Sequence, residues 1–233
     1  MAQGTLHGVN LAGWLMLEPW VTPELFAETG ALDEAALANR LGAERFSHVV
    51  RAHLDTFVTE KDFAQIALRG YNAVRLPLSW HVFGPDGPLA GAHCSRIEYV
   101  DRAMDWAEAN GLVVLLDIAL APGASITSDG LRMEVDSTPA RRAALLQVVG
   151  MLAARYAERR AFFGIEPLDE VVVQRRRGLT VVPGMPLPHL RNLYRDAYEA
   201  VRSVAGKRPV VVLSDADRSG SWRRFMAGRA ACP

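Results

Sequence analysis

Leu112-Val113-Val114-Leu115-Leu116-Asp117-Ile118 decides the fold. This run holds a single polar side chain and reads as a strand buried on both faces, since a strand with one wet face would alternate apolar and polar residues. Just upstream, Ile97 to Asn110 has the apolar spacing of an amphipathic helix, and Gly111 stands just past its end. Further upstream, Asn72 to Leu78 reads as a second buried strand that Pro77 closes. Thr59-Glu60-Lys61-Asp62 opens the helix before it, with Thr59 as cap and Phe63, Ile66 and Ala67 as the apolar face. Downstream, Pro139 to Tyr156 reads as a helix with Pro139 in its first turn, Phe162 to Leu168 as a strand, Leu190 to Ala205 as a helix and Pro209 to Leu213 as a strand. Ser219 to Met226 begins one more helix. At the other end, Leu6 to Leu11 is a short strand running into a long Gly/Trp/Pro-rich loop.

Alternating strands and helices, with near-continuous apolar strands, specify a parallel sheet covered by helices, the α/β class. Five strands fit two architectures. One is the (β/α)8 TIM barrel, which needs eight strands and about 250 residues, so that this chain stops after about five βα units. The other is a five-stranded doubly wound sheet. Against the second, the first turn lacks GxGxxG and is long where such folds keep it short. The expectation is one partial barrel domain over residues 1–233.

Composition narrows the partners. Lys+Arg and Asp+Glu balance at 26 each, so no global field favours nucleic acid or an anionic membrane. Gln174-Arg175-Arg176-Arg177 is the one basic cluster and reads as a solvated loop. No apolar run is long enough to span a bilayer, and the start has no basic segment followed by an apolar stretch. A cytoplasmic location is expected from the sequence as it stands, and a secreted one if its start is a mature N-terminus. Cys94 and Cys232 read as two free thiols, with one disulfide as the alternative. Nothing has metal-ligand spacing, and no cofactor is expected.

In parallel barrels the chemistry sits where strands end. Those ends offer Asn10 through Glu18, Arg75, His81, Asp117, Glu170 and Asp215. Carboxylates work on glycosidic bonds and indole faces stack on pyranose rings, so this set suggests a sugar site. Glu170 leaves a buried strand at its carboxyl end, and apolar neighbours there would keep its carboxyl protonated enough to act as an acid. A solvated loop carboxylate is the competing reading. Arg75 is a charge inside a buried strand, which calls for a carboxylate partner on an adjacent strand. Trp14 reads as packing rather than sugar stacking, and so does Trp20.

Gly8-Val9-Asn10-Leu11-Ala12-Gly13-Trp14-Leu15-Met16-Leu17-Glu18-Pro19-Trp20-Val21-Thr22-Pro23 resembles the opening signature of the exo-β-1,3-glucanases of glycoside hydrolase family 5. The likeness continues through His53 to Phe63, Gly70 to Pro77, Tyr99 to Ala107, Ala121-Pro122-Gly123, and Gly164-Ile165-Glu166-Pro167-Leu168-Asp169-Glu170; Asp215 followed by Trp222 is similar to the end of the fifth strand. The resemblance implies a retaining glycosidase acting on β-glucan or a β-glucoside. It implies Glu170 as acid/base, Arg75 as the arginine beside the nucleophile, and Glu18 as a sugar-binding carboxylate. Asp169 takes the place of the asparagine that binds the 2-hydroxyl, and Trp80 and His81 join the substrate-binding set. The nucleophile is implied on a seventh strand, outside these residues.

Three positions depart from that pattern, and so does the loop Ala124-Ser125-Ile126-Thr127-Ser128, which the family usually fills with Gln and Asn. Asp117-Ile118-Ala119 stands where the family reads Asp-Leu-His, Asp169 replaces an amide, and Val171 replaces a proline. The alternative reading is therefore a truncated or degenerate glycosidase without catalysis, at most a weak carbohydrate-binding protein. A half-barrel completed by another chain is a third reading, and self-association through the open edges Leu6–Leu11 and Pro209–Leu213 would accompany it.

Overall fold

The structure, a computed structural model, describes residues 4–89, 94–126, 133–134, 138–171, 173, 175–177, 180–182, 184–216 and 218–227. Strand β1 (Gly8–Asn10) is followed by helices α1 (Pro23–Ala27), α2 (Glu34–Leu41), α3 (Ala43–Thr56) and α4 (Glu60–Leu68), then by β2 (Ala73–Ser79) and α5 (Ile97–Ala109). Next come β3 (Val113–Leu120), the hairpin of β4 (Ser125–Ile126) with β5 (Met133–Glu134), and α6 (Pro139–Tyr156). Strand β6 (Phe162–Glu166), the hairpin of β7 (Arg175–Arg177) with β8 (Thr180–Val182), α7 (Leu187–Ala205), β9 (Val210–Val211) and α8 (Arg223–Ala227) complete the chain.

One parallel sheet runs in the order β1-β2-β3-β6-β9, so each strand lies beside the next strand of the sheet. That order belongs to a barrel wall. A doubly wound sheet would reverse direction at a switch point. Between β6 and β9 the approach is so close that a Cβ on Gly164 would lie 2.0 Å from the Val210 carbonyl oxygen, so glycine is required there.

Four expectations are corrected. The long first loop holds three helices, α1 to α3. Helix α2 starts at Asp33, whose side chain accepts from the Ala36 N–H at 2.7 Å, and α3 buries Phe46, Val50 and Leu54 along one face. Pro77 lies inside β2 and does not close it. Arg175–Arg177 forms a hairpin strand, where a loop was expected. The third strand extends to Leu120. The capping box of α4 is as expected, with Thr59 and Asp62 serving each other's backbone.

The core packs one face of the sheet against the helices. Val74, Leu76, Val114, Leu116 and Ile165 are buried with Val100 and Met104 of α5 and Val148 and Leu152 of α6. Trp14 is fully buried, donates from Nε1 to the Leu54 carbonyl at 3.1 Å and stacks near Trp106. Trp20, in contrast, is about half exposed (51%). Cys94 is buried and free; Cys232 lies outside the described residues. Among the described residues no helix is long and apolar enough to cross a membrane, and no group of three His, Cys, Asp or Glu side chains is placed to hold a metal ion.

Candidate active site

Register assembles the site. Pro77 of β2 stands opposite Asp117 of β3, and Asp117 opposite Glu166 of β6. Residues two apart on a strand share a face, so Arg75, Asp117 and Glu166 converge on one side of the sheet. The Arg75 Nη2 lies 2.9 Å from Asp117 Oδ2, 3.0 Å from Glu166 Oε2 and 3.0 Å from Asp169 Oδ2. Its Nε also donates to Glu166 at 3.1 Å, and Nη1 donates to Asn10 Oδ1 at 3.3 Å. The contact with Asp117 is ionic only. Its angle misses hydrogen-bond geometry, and both buried oxygens of Asp117 lack a hydrogen-bond partner among the described residues.

The loop after β6 brings the other acids. Asp169 turns back to Arg75, because the strand stops at Glu166 instead of continuing to Leu168. Glu170 follows with φ 42, a left-handed conformation that costs a non-glycine residue on the order of 1 kcal/mol or more. Its side chain is exposed. The expected apolar surroundings of Glu170 are therefore corrected, since this loop projects past the end of the strand. Glu18 arrives from the β1 loop, buried, with Oε2 accepting from the Gly13 N–H at 2.7 Å. Gly13 has φ +74, and a Cβ there would lie 2.5 Å from Val21.

Several acids around one arginine leave negative charge in excess. Burial pushes the Asp117 carboxyl well above the usual carboxylate range; Arg75 pulls it down, and Asp169, Glu166 and Glu18 add to the push. Burial likewise raises Glu166 against the pull of Arg75. Burial raises Glu18 as well, opposed by the Gly13 N–H and reinforced by Asp169 and Glu170. Arg75 is held fully protonated by the same acids.

Trp80 and His81 take another direction. His81 Nε2 is 3.5 Å from Glu34 Oε1, and Trp80 packs edge-on to His81 with ring centroids 5.3 Å apart. Glu34 is buried and bridged by Arg96 at 2.5 and 3.1 Å, and it accepts the Leu17 N–H at 3.2 Å. Burial would raise the Glu34 carboxyl, but Arg96, His81 and these hydrogen bonds bring it below its ordinary value. Asp215 lies in the segment after β9, which stops at Val211, and its carbonyl accepts from Trp222 Nε1 at 2.8 Å. Sequence reasoning missed Glu34 and Arg96 altogether, and passed over Glu166 as a partner of Arg75. For Glu166 the available signal was its place beside Asp117 on neighbouring buried strands.

Acids gathered around one arginine at the strand ends of a parallel α/β sheet define a site of the TIM-barrel enzyme type. The model of the cellulase family, glycosyl hydrolase family 5, matches residues 40–222. The chain belongs to glycosyl hydrolase family 5. It is similar to the probable glucan 1,3-beta-glucosidase A of Aspergillus clavatus, 32% identical over 96% of this chain and 53% of that protein. It is also similar to the sporulation-specific glucan 1,3-beta-glucosidase of Saccharomyces cerevisiae, 31% identical over 91% of this chain and 49% of that one. The chain thus spans about half the length of these relatives. Among solved structures, AoRut superposes with a TM-score of 0.77 at 20% identity, covering 94% of this chain and 64% of that chain. The rutinosidase from Aspergillus niger gives 0.74 at 19%, covering 94% and 65%. These two support the fold: an α/β sheet of TIM-barrel type with five parallel strands.

Proposed function

We propose that these residues form part of a retaining β-glucosidase or exo-β-1,3-glucanase that hydrolyses O-glycosidic bonds in β-glucans. Glu170 is the acid/base. Glu18, Arg75 and Asp169 bind substrate, and Trp80 and His81 extend the contact. The observation that carries this reading is the ion pair between Arg75 of β2 and Asp169, the residue directly before Glu170. It ties the loop of the proposed acid to the strand of the proposed arginine, the pair of roles that the family likeness implies. Retaining hydrolysis needs a second carboxylate about 5–5.5 Å from the first. In this reading that nucleophile comes from a seventh strand outside these residues.

The test is release of p-nitrophenol from its β-glucoside by this chain and by Glu170→Gln. Turnover abolished in Glu170→Gln supports the reading, and turnover no higher than that background removes catalysis from these 233 residues. A second reading, weak glucan binding without catalysis, is favoured by one specific observation. Arg75 is already engaged by Asp117, Glu166 and Asp169 of its own chain. Laminarin retention without turnover would select it.

A further inference from the structure

Helix α3 grips the loop that carries Glu18 through two consecutive residues. His53 Nε2 lies 2.7 Å from the Gly13 carbonyl oxygen, and the Leu54 carbonyl, in the last turn of the helix, accepts from Trp14 Nε1 at 3.1 Å. On its other side Gly13 meets the acid, its N–H donating to Glu18 Oε2 at 2.7 Å. One loop residue thus joins a buried imidazole to a buried carboxyl. A carbonyl oxygen only accepts, so this contact requires the His53 proton on Nε2. The ring packs against Phe57, one turn further on, with centroids 4.6 Å apart, which helps to fix its plane.

We propose that His53 is a positioning residue for Glu18, holding the Gly13 carbonyl so that the Gly13 N–H stays aimed at the Glu18 carboxyl. The turn leaves little room for another arrangement. Gly13 sits at φ +74, close enough to Val21 that a Cβ there would lie 2.5 Å from it. The backbone of Glu18 is fastened separately, its carbonyl accepting the N–H groups of Val21 and Thr22, both at 2.9 Å. What remains to be set is the direction of the carboxyl, and Gly13 supplies a donor for it. The imidazole is also held neutral. Burial lowers its pKa first, opposed by the Gly13 backbone; Arg96 lowers it too, while Glu24 and the Trp14 backbone raise it. A neutral ring has a single N–H, and the Gly13 carbonyl takes it.

The sugar-binding role of Glu18 rests on the glycosidase reading, whereas its coupling to His53 does not, so the test reads the coupling without turnover. Nitrogen NMR of the parent chain reports the tautomer and needs no variant to fold. A neutral His53 with its proton on Nε2 is expected, and a proton on Nδ1 overturns the proposal. The Glu18 carboxyl is then titrated by carbon-detected NMR in the parent, His53→Leu and His53→Gln. Leucine removes the donor, and glutamine returns an amide N–H near the place of Nε2. The Gly13 N–H draws the Glu18 carboxyl down against its burial, so loosening it should move the Glu18 titration to higher pH in His53→Leu. The Gly13 amide should exchange roughly tenfold faster there, the loss of about one hydrogen bond. His53→Gln should restore both. A Glu18 titration that stays in place in His53→Leu, or moves as far in His53→Gln, overturns the proposal, because loss of ring packing is common to the two variants. The expected shifts in a chain that releases no p-nitrophenol leave it standing while the catalytic reading fails.

Discussion

The Asp169 carboxylate sits 3.0 Å from Nη2 of Arg75, the same nitrogen that meets Asp117 and Glu166. An amide at position 169 would keep an oxygen to accept from the arginine and remove a negative charge. Asp169 raises the carboxyls of Glu18, Asp117 and Glu166 alike. Asp169→Asn should therefore move all three titrations to lower pH. Carbon-detected NMR of the side-chain carboxyls reads this directly, and unchanged midpoints would show that Asp169 does not act on them through charge.

Asp117→Asn should stabilise the protein at pH 8. A carboxyl whose folded pKa lies above its unfolded value of about 3.9 supports folding fully below that value and loses the support as pH rises through the folded pKa. Asp117 is such a group, pushed up first by burial, and it is fully buried. The neutral side chain avoids this loss, and Arg75 retains Glu166, Asp169 and Asn10. A Tm higher by a few degrees at pH 8, with the gain fading as pH falls towards 4, is the expected profile. A variant that melts below the parent at every pH would overturn it.

The sheet was legible because its strands are buried on both faces. Leu112 to Ile118 and Phe162 to Leu168 read as strands whatever surrounds them, and Gly111 and Pro139 mark helix boundaries. Helices α1 to α3 were hidden by their local chemistry. The α3 stretch carries His48, Arg51, His53 and Asp55, although Phe46, Val50 and Leu54 recur at helical spacing and Asp33 is an N-cap signal for α2. Partner choice in the site was less accessible still. Asp169 meets Arg75 only because β6 stops at Glu166 and Glu170 adopts φ 42, neither of which composition or periodicity encodes. The pairing of Glu34 with Arg96 joins residues 62 positions apart, and each alone reads as a surface charge.

Strands β1 and β9 occupy the two edges of the sheet, and Val210 on β9 is partly exposed. Edge strands with free backbone groups invite pairing with another chain. Sedimentation velocity on this chain should show concentration-dependent association, reduced by Val210→Lys, because a lysine on an edge opposes pairing. A single monomer boundary at every concentration would rule the association out.

Glu34 and Arg96 offer the sharpest stability test. Both are buried, and their bond at 2.5 Å ties α2 to the start of α5. Glu34→Leu alone strands the Arg96 guanidinium, and Arg96→Met alone strands the carboxylate. Each should cost about 3–5 kcal/mol, the usual penalty for an uncompensated buried charge. The double variant removes both charges and should recover most of that loss, though not all, because the Leu17 N–H and the Leu15 carbonyl also lose a partner. The pH dependence has a definite sign. Glu34 has a folded pKa below its unfolded value of about 4.3, so its contribution is present above that value and lost as pH falls through the folded pKa. Urea unfolding at pH 7 and pH 3 should show the parent losing more stability in acid than the double variant. Equal acid sensitivity, or a double variant as weak as either single one, would mean that the pair is not what joins α2 to α5.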